Sequence, residues 1–261
     1  RARCGVDVPP ELPGFFMRPS FPGRASQALN GASKSVPLIF RRRFDVSADE
    51  KKIFDFLQGT VTLAKSNTVV RVAGGWVRNK MLNLSTDDMD IALDNMTGAA
   101  FARHLSSYAA TQSTKIGLGI VRQNPQQSKH LETATATLFG HSLDFVNLRV
   151  EHYANTRIPS MQIGTAAEDA FRRDFTVNSL FFNLATHTIE DYTRCGVRDL
   201  EQHVLRTPLP AKETFRDDPL RALRAIRFAT RLGFQMEQNT YEACKDEGVK
   251  VVVLLTLLAR P

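Results

Sequence analysis

Two motifs about a third of the way along the chain hold residues that could bind a phosphate group and a metal ion. Gly74 and Gly75 precede Arg78, and the pair Asp88-x-Asp90 begins ten residues after that arginine. Glycine lets the backbone approach a phosphate closely, and a guanidinium group suits phosphate oxygens. Because strand side chains alternate, both carboxylates would project from one face and could hold magnesium against a nucleoside triphosphate. Either motif alone is common, so the interpretation depends on the rest of the chain.

Apolar residues around these motifs predict the elements that position them. Val69, Val70 and Val72 precede the glycines, and Ile91–Leu93 follow the aspartates. This pattern indicates a strand, a phosphate turn, a short helix and a second strand, Asp88–Leu93. Upstream, Ser47 and Glu50 have the spacing of a capping box and predict the start of a helix.

A third carboxylate, Asp144, lies inside an apolar segment. Thr133–Leu138 and Ser142–Leu148 predict a hairpin that contains it, after a long polar loop at residues 117–133. A carboxylate with apolar neighbours requires a partner. Asp144 could face the metal site and accept a proton from an attacking hydroxyl, or it could pair with Arg149, and both interpretations stay open.

The segment Arg172–Ser179 concentrates groups that could bind the sugar and phosphates of a nucleotide. Arg173 could bind a triphosphate, Asp174 could accept hydrogen bonds from ribose hydroxyls, and Asn178 adds an amide. The same segment could be a charged helix start that Asp174 caps. Beyond Arg172 the pattern predicts an increasingly helical chain.

A second polar cluster combines one aspartate with three arginines. Pro219 suits the first turn of a helix. Asp218 and Arg221 are three residues apart and would lie on one helix face, which Arg224 and Arg227 continue. Such a stripe is usually an exposed surface with local ion pairs. Beside a nucleotide site, however, its donors and acceptors would match the Watson–Crick edge of a base.

The composition indicates a globular protein with a full core, since 43% of the 261 residues are hydrophobic and 23% are charged. The net charge of +7 belongs mostly to residues 1–44, which hold eight Lys and Arg against two acids. An RNA-binding face elsewhere must therefore come from local clustering. Three widely spaced cysteines and six scattered histidines predict reduced thiols in an intracellular protein without a zinc site. The longest apolar run, Val251–Leu258, is too short for a membrane helix, so no membrane partner is expected.

The motifs together resemble the class II tRNA nucleotidyltransferases, the CCA-adding enzymes of bacteria and eukaryotes with their sister bacterial poly(A) polymerases. The resemblance covers about residues 45–240, with the motifs in family order. Gly74–Arg78 with the aspartate pair is similar to the first family motif, Arg172–Asn178 to the ribose-recognising second, and Asp191–Leu200 to the third. Asp217–Arg221 resembles the amino-acid template, with Asp in place of the usual leading Glu.

The resemblance implies an α+β fold, in which a nucleotidyltransferase head with a mixed sheet flanked by helices is followed by an incomplete helical neck. Residues 45–200 would form the head and residues 201–261 the neck, truncated relative to a family that continues through body and tail domains. Residues 1–44 indicate a basic, disordered leader, either an organellar transit peptide or a plain extension. Asn124–Thr135 and Arg206–Lys212 are most similar to the eukaryotic CCA-adding branch.

The implied reaction adds CMP, CMP and AMP from CTP and ATP to the 3′ end of tRNA, with Mg²⁺ as cofactor and no nucleic-acid template. Asp88 and Asp90 would bind the metal, and Asp144 matches the family's third, less essential carboxylate. The residues expected to bind nucleotide are Gly74, Gly75, Arg78, Arg173, Asp174, Asn178, Asp218, Arg221, Arg224 and Arg227. A poly(A) polymerase and a truncated nucleotide- or RNA-binding fragment are the alternatives. The compartment would be the mitochondrion, plastid, nucleus or cytoplasm.

Overall fold

The computed structural model describes residues 36–41, 45–86, 88–121, 133–152 and 160–258. Most of the expected leader and most of the predicted loop at 117–133 lie outside the described residues. The strands are β1 (Leu38–Phe40), β2 (Val70–Ala73), β3 (Asp88–Leu93), β4 (Gly117–Val121), β5 (Thr133–Leu138), β6 (His141–Asn147), β7 (Arg149–His152), β8 (Ser160–Ile163), β9 (Leu180–Asn183), β10 (Thr188–Asp191), β11 (Val204–Leu205) and β12 (Gln235–Met236). The helices are α1 (Ala48–Leu63), α2 (Gly75–Met81), α3 (Gly98–Thr111), α4 (Ala166–Arg172), α5 (Gly196–Glu201), α6 (Ala211–Asp217), α7 (Leu220–Leu232), α8 (Gln238–Lys245) and α9 (Glu247–Leu258), with a 3₁₀ turn at Thr176–Asn178.

Eight strands form one mixed sheet in the order β1-β10-β9-β2-β3-β6-β5-β4. Neighbouring strands are antiparallel except β3 and β6, which are parallel. A parallel pair needs a crossover connection, and α3 lies within it. This pairing sets Asp88 beside Ser142 and Asp90 beside Asp144. The crossover therefore places two motifs that are far apart in sequence side by side.

The main core lies between one face of the sheet and the helices α1 and α3. Ile53 and Leu57 of α1, like Phe101 and Leu105 of α3, are almost fully buried there. A smaller apolar cluster on the second face includes Phe181 and alanines of β2, β3 and α4. Because α1 and α3 cover the first face, a site for polar ligands can form on the second.

A confirmed capping box begins α1. The Ser47 side chain accepts a hydrogen bond from the Glu50 N–H at 3.2 Å, and Glu50 accepts from the Ser47 N–H at 2.7 Å. The buried Glu50 carboxylate also accepts from the Trp76 indole at 3.0 Å and from Lys80 at 2.7 Å. Burial would raise the pKa of Glu50, but Lys80 and the other donors outweigh it and lower the pKa. The cap thus also connects α1 to α2, the helix after the glycine turn.

Three sequence predictions need correction. Leu38–Phe40, in the expected disordered leader, form β1 and pair with β10. Gly117–Val121, predicted to be loop, form β4 and pair with β5. Leu180–Asp191, where increasing helix was predicted, hold the antiparallel strands β9 and β10. Each short strand is defined by a partner strand, so local propensity is a weak guide to it.

The predicted strand Asp88–Leu93 and the predicted hairpin around Asp144 are confirmed. The apolar run Val251–Leu258 lies in α9, where Val249 is buried whereas Val251 and Leu254 are exposed. Within the part of the chain that is described, every helix is too short or too polar to cross a membrane.

Candidate active site

Three carboxylates project from the second face of the sheet at β3 and β6. Asp88 and Asp90 are exposed, and the residue between them, Met89, is buried on the opposite face. Asp144 is also exposed and lies in register with Asp90. Because adjacent strands are about 4.8 Å apart, these two carboxylates are direct neighbours. The structure therefore brings together the three residues expected to be catalytic.

The electrostatics of this carboxylate group favour a cation. Desolvation raises the pKa of Asp90, the charges of Asp144 and Asp88 raise it further, and Arg173 acts in the opposite direction. A bound cation relieves such repulsion. Arg149, the alternative partner of Asp144, instead donates from Nε to Glu151 at 3.2 Å.

The carboxylates of β3 and β6 supply only part of the ligands that a metal ion needs. Among the described residues, no group of three or more His, Cys, Asp and Glu side chains is arranged to hold a metal ion by itself. Magnesium is usually bound through one or two carboxylates together with the phosphates of its nucleotide. Asp88 and Asp90 fit a divalent cation that enters with such a substrate.

The glycine turn directly follows the strand beside the carboxylates. Ala73 of β2 lies in register with Asp90 on one side and Phe181 on the other. Gly74 follows with φ +66° and ψ −114°, a conformation that favours glycine. A Cβ on Gly74 would lie 2.7 Å from Nη1 of Arg173. The backbone conformation therefore favours glycine, and any side chain at this position would displace the Arg173 guanidinium group.

Asp90, Ala73 and Phe181 lie side by side on neighbouring strands, and Arg173 packs on the last of them. Its Cζ is 5.2 Å from the centroid of the Phe181 ring. The buried Asp169 carboxylate accepts from Arg173 Nε at 2.9 Å and from Nη2 at 2.8 Å. Burial would raise the pKa of Asp169, but Arg173 and Arg172 outweigh it, so the pKa lies below its usual value. A positive charge is thereby fixed beside Phe181, two strands across the sheet from Asp90, and its field opposes the rise in the pKa of Asp90.

Arg78 is buried rather than exposed at the glycine turn. Gly75 is the first residue of α2, and Arg78 follows one turn later. The Arg78 Nη1 donates to Oδ1 of Asn178, and its Cζ is 5.1 Å from the centroid of Phe228. Burial lowers the pKa of Arg78 to about 10. Arg78 thus connects α2 to the second motif and to α7.

Asp174 joins the second motif to α7. Its Oδ1 accepts from the Phe175 N–H and from Nδ2 of Asn178, both at 2.9 Å. Its Oδ2 accepts from Arg224 Nε at 2.8 Å and Nη2 at 2.6 Å. The carboxylate therefore helps to begin the 3₁₀ turn and also holds a helix fifty residues away in sequence.

Asp218 and Arg221 lie where α6 ends and α7 begins. Asp218 accepts a hydrogen bond from the Leu220 N–H at 3.2 Å. Helix α7 begins at Leu220, directly after Pro219, in agreement with the predicted helix start. The Arg221 Nε is 4.0 Å from Asp218 Oδ2, whereas its Nη2 donates to the Arg172 carbonyl at 2.8 Å. Arg221 therefore contacts the second motif more closely than it contacts its helix neighbour.

Three guanidinium groups surround one aromatic ring of α7. The Cζ atoms of Arg78, Arg224 and Arg227 lie 5.1, 5.3 and 5.2 Å from the centroid of Phe228. Cations are attracted to aromatic faces, and this arrangement concentrates positive charge on the side of α7 nearest the second motif. Two arginines of the predicted stripe, Arg224 and Arg227, therefore both contact the ring of Phe228.

Sequence reasoning missed two buried acids, Glu151 and Asp169. Together they bind four guanidinium groups, so the cluster keeps an excess of positive charge. These groups belong to Arg149, Arg172, Arg173 and Arg221. The spacing of three and four residues from Asp169 to Arg172, the last residue of α4, and to Arg173, directly after it, could have indicated these ion pairs from the sequence. Glu151 gave little signal, because two of its partners come from distant segments.

Residues 70–206 match the family described as the poly A polymerase head domain. This match covers more than half of the chain, and the chain belongs to this family of nucleotidyltransferases. The membership expected from the motifs is thereby confirmed.

Several similar proteins are named as tRNA nucleotidyltransferases. The tRNA nucleotidyltransferase cca2 of Schizosaccharomyces pombe is 47% identical over 206 residues, which are 76% of this chain and 42% of that protein. The mitochondrial CCA tRNA nucleotidyltransferase of Saccharomyces cerevisiae is 47% identical over 188 residues, 70% of this chain and 34% of that protein. Poly(A) polymerase I of Escherichia coli is 30% identical over 203 residues, 77% of this chain and 41% of that protein. The chain spans less than half the length of these curated relatives.

Solved structures share the fold. A CCA-adding enzyme in an apo form has a TM-score of 0.64 and 29% identity, over 77% of this chain and 44% of that chain. The Thermotoga maritima CCA-adding enzyme complexed with tRNA has a TM-score of 0.59 and 27% identity, over 77% of this chain and 42% of that chain. The expected α+β class with a mixed sheet flanked by helices is confirmed.

Proposed function

We propose that this chain is the catalytic head of an enzyme that adds CMP, CMP and AMP to the 3′ end of tRNA, using CTP and ATP and no nucleic-acid template. The observation that carries the proposal is the pairing of Asp90 with Asp144, which offers carboxylates for a metal, on the same sheet face where Arg173 packs on Phe181 and against Gly74 and offers a cation for phosphates. The identity of 47% to tRNA nucleotidyltransferases, against 30% to a poly(A) polymerase, supports this assignment.

Each part of the site has a task in the proposed reaction. Asp88 and Asp90 would hold Mg²⁺, which when bound lowers the pKa of the attacking 3′-hydroxyl and neutralises the leaving pyrophosphate. Asp144, beside Asp90, would accept the proton of that hydroxyl. Arg173 would bind the triphosphate above the turn at Gly74. The new bond joins the 3′-oxygen to the α-phosphorus, and the bond from that phosphorus to pyrophosphate breaks.

Selection of the base would belong to Asp218 and Arg221. A carboxylate accepts and a guanidinium group donates, so together they can pair with the edges of C and A. A base with the wrong edge would leave a buried donor or acceptor unpaired, which enzymes discriminate against strongly. Asp174 would exchange one of its present partners for a ribose hydroxyl, with Asn178 beside it.

The remaining nucleotide contacts would come from the positive side of α7 and from the turn. Arg224 and Arg227, stacked on Phe228, would approach the bound nucleotide from α7. Gly75 would bring the backbone of α2 close to the phosphates. Arg78 would hold Asn178 of the second motif in place through its hydrogen bond to the amide oxygen.

The test is incorporation by the purified chain with MgCl₂ and a tRNA that lacks its three terminal nucleotides. We expect CCA at the sequenced ends and no addition from UTP or GTP. A homopolymer of A would indicate the poly(A) polymerase alternative. Nucleotide binding without incorporation would indicate a nucleotide-binding fragment. Replacing MgCl₂ with EDTA should abolish addition, and addition in EDTA would exclude the proposed metal.

We also propose that the protein works inside the cell, in an organelle or in the nucleus and cytoplasm. Relatives named as mitochondrial enzymes and the basic residues 1–44 support this proposal. A fluorescent reporter carrying residues 1–44 tests the organellar part, and a reporter that stays diffuse would exclude transit by this segment.

A further inference from the structure

Glu151 in β7 is a buried carboxylate on which three arginines converge. Its side chain is 6% exposed. Oε1 accepts from Arg172 Nη1 at 2.9 Å and from Arg149 Nε at 3.2 Å. Oε2 lies 3.6 Å from Nη2 of Arg221. The base-selecting arginine of the proposed function therefore lies against a carboxylate from a different part of the chain.

We propose that Glu151 is a positioning residue that sets the orientation of Arg221 and thereby the choice of base. This inference rests on the proposed function, because it assigns Glu151 a part in selecting C and A. Glu151 would contact no nucleotide itself and would act through Arg221 alone.

The geometry of Arg221 explains why it needs such a partner. A long, flexible side chain reads a base edge only when its planar group is fixed. Asp218, at 4.0 Å from Nε, and Glu151, at 3.6 Å from Nη2, are both ion-pair contacts rather than hydrogen bonds, and Glu151 is the nearer of the two. The Arg172 carbonyl at 2.8 Å and the Glu151 carboxylate both restrain the same nitrogen, Nη2. Two restraints on one end of the guanidinium group define its direction.

The same cluster connects the base end of the site to its phosphate end. Glu151 binds Arg172, and Arg172 Nε donates to Asp169 at 2.9 Å. Asp169 in turn binds Arg173, the proposed triphosphate ligand. Glu151 would therefore orient Arg221 toward the base, and Asp169 would orient Arg173 toward the triphosphate.

The experiment compares the affinity of the chain for CTP, ATP, UTP and GTP in the presence of MgCl₂. For Glu151→Gln, we expect the preference for CTP and ATP over UTP and GTP to fall about tenfold, which is within the range of one bidentate base contact. For Asp169→Asn, we expect all four affinities to fall together with the preference unchanged. These two results would separate a role at the base from a role at the phosphates.

The chain offers a matched control in Glu190, a carboxylate on β10 that is 7% exposed and accepts from Arg71 at 2.7 Å. Glu190→Gln removes an equally buried partner of an arginine outside the cluster. It should lower the thermal midpoint and leave the nucleotide preference unchanged. A loss of preference equal to that of Glu151→Gln would overturn the inference, since any loss of head stability would then suffice.

Two further variants keep the inference testable if Glu151→Gln folds poorly. Glu151→Asp keeps the charge but withdraws it by one methylene, and we expect an intermediate loss of preference. In an Arg221→Ala background, Glu151→Gln should change the preference no further, because its effect passes through Arg221. An unchanged preference in a folded Glu151 variant, or an additional change in the Arg221→Ala background, would overturn the inference. A wild-type chain that binds all four nucleotides equally would instead overturn the proposed function.

Discussion

Replacing Gly74 with alanine tests the link between the glycine turn and the phosphate end of the site. The added Cβ would lie 2.7 Å from Nη1 of Arg173, well inside van der Waals contact. Nη1 would have to retreat by roughly 1 Å to reach an ordinary contact distance. Asp169 holds the same guanidinium group through two hydrogen bonds, so the retreat also disturbs this salt bridge.

Two effects of Gly74→Ala can be estimated. A non-glycine residue at φ +66° and ψ −114° carries strain of about 1–3 kcal/mol, which should appear as a loss in the free energy of unfolding. A displacement of about 1 Å in a positioning group can reduce turnover about 10²-fold. Urea denaturation measures the first effect, and CMP incorporation into tRNA lacking its 3′ end measures the second.

Gly233 provides the control for this prediction. It ends α7 with φ +68° and ψ 28°, and a Cβ there would meet nothing within 4 Å. Gly233→Ala should lose about 1 kcal/mol of unfolding free energy from its left-handed backbone and leave incorporation unchanged. If Gly74→Ala matched Gly233→Ala in both measurements, the turn would have no special relation to Arg173, and the reasoning would be refuted.

Three further predictions concern the carboxylates and the base-selecting arginine. Asp90→Ala should abolish incorporation in a folded protein, whereas Asp144→Ala should reduce it about 10²-fold, the lower end for a general base; equal losses in the two variants would contradict the assigned roles. Arg221→Ala should lower discrimination against UTP and GTP by about 1–3 kcal/mol, measured from incorporation rates with each nucleotide, and unchanged discrimination would make it a structural ion pair. Asp169→Asn should cost about 3–5 kcal/mol of unfolding free energy, because it leaves buried arginines without their carboxylate. Although burial would raise the folded pKa of Asp169, Arg173 and Arg172 hold it below the usual value of a carboxyl group, so its contribution to stability is present above about pH 4 and is lost as the pH falls through the folded pKa. Urea denaturation from pH 7 down to pH 3 should therefore show a steeper acid loss in wild type than in Asp169→Asn, and parallel curves would contradict this linkage.

The sequence by itself determined the elements whose signals are local. The capping box of Ser47 and Glu50 and the strand Asp88–Leu93 were predicted and are present, because caps and strand alternation depend on residues a few positions apart. The hairpin around Asp144 was found for the same reason. The family followed from the order of these motifs.

Only the tertiary structure decided which of these residues meet. The parallel pairing of β3 with β6 sets Asp144 beside Asp90, although the strands are separated by a crossover. The hydrogen bonds from Arg224 to Asp174 span fifty residues. The contact of Arg221 with Glu151 has no local signal either, because its two ends lie on different elements. Burial decides these partners, since a buried charge must find an opposite charge wherever the packed chain brings one near.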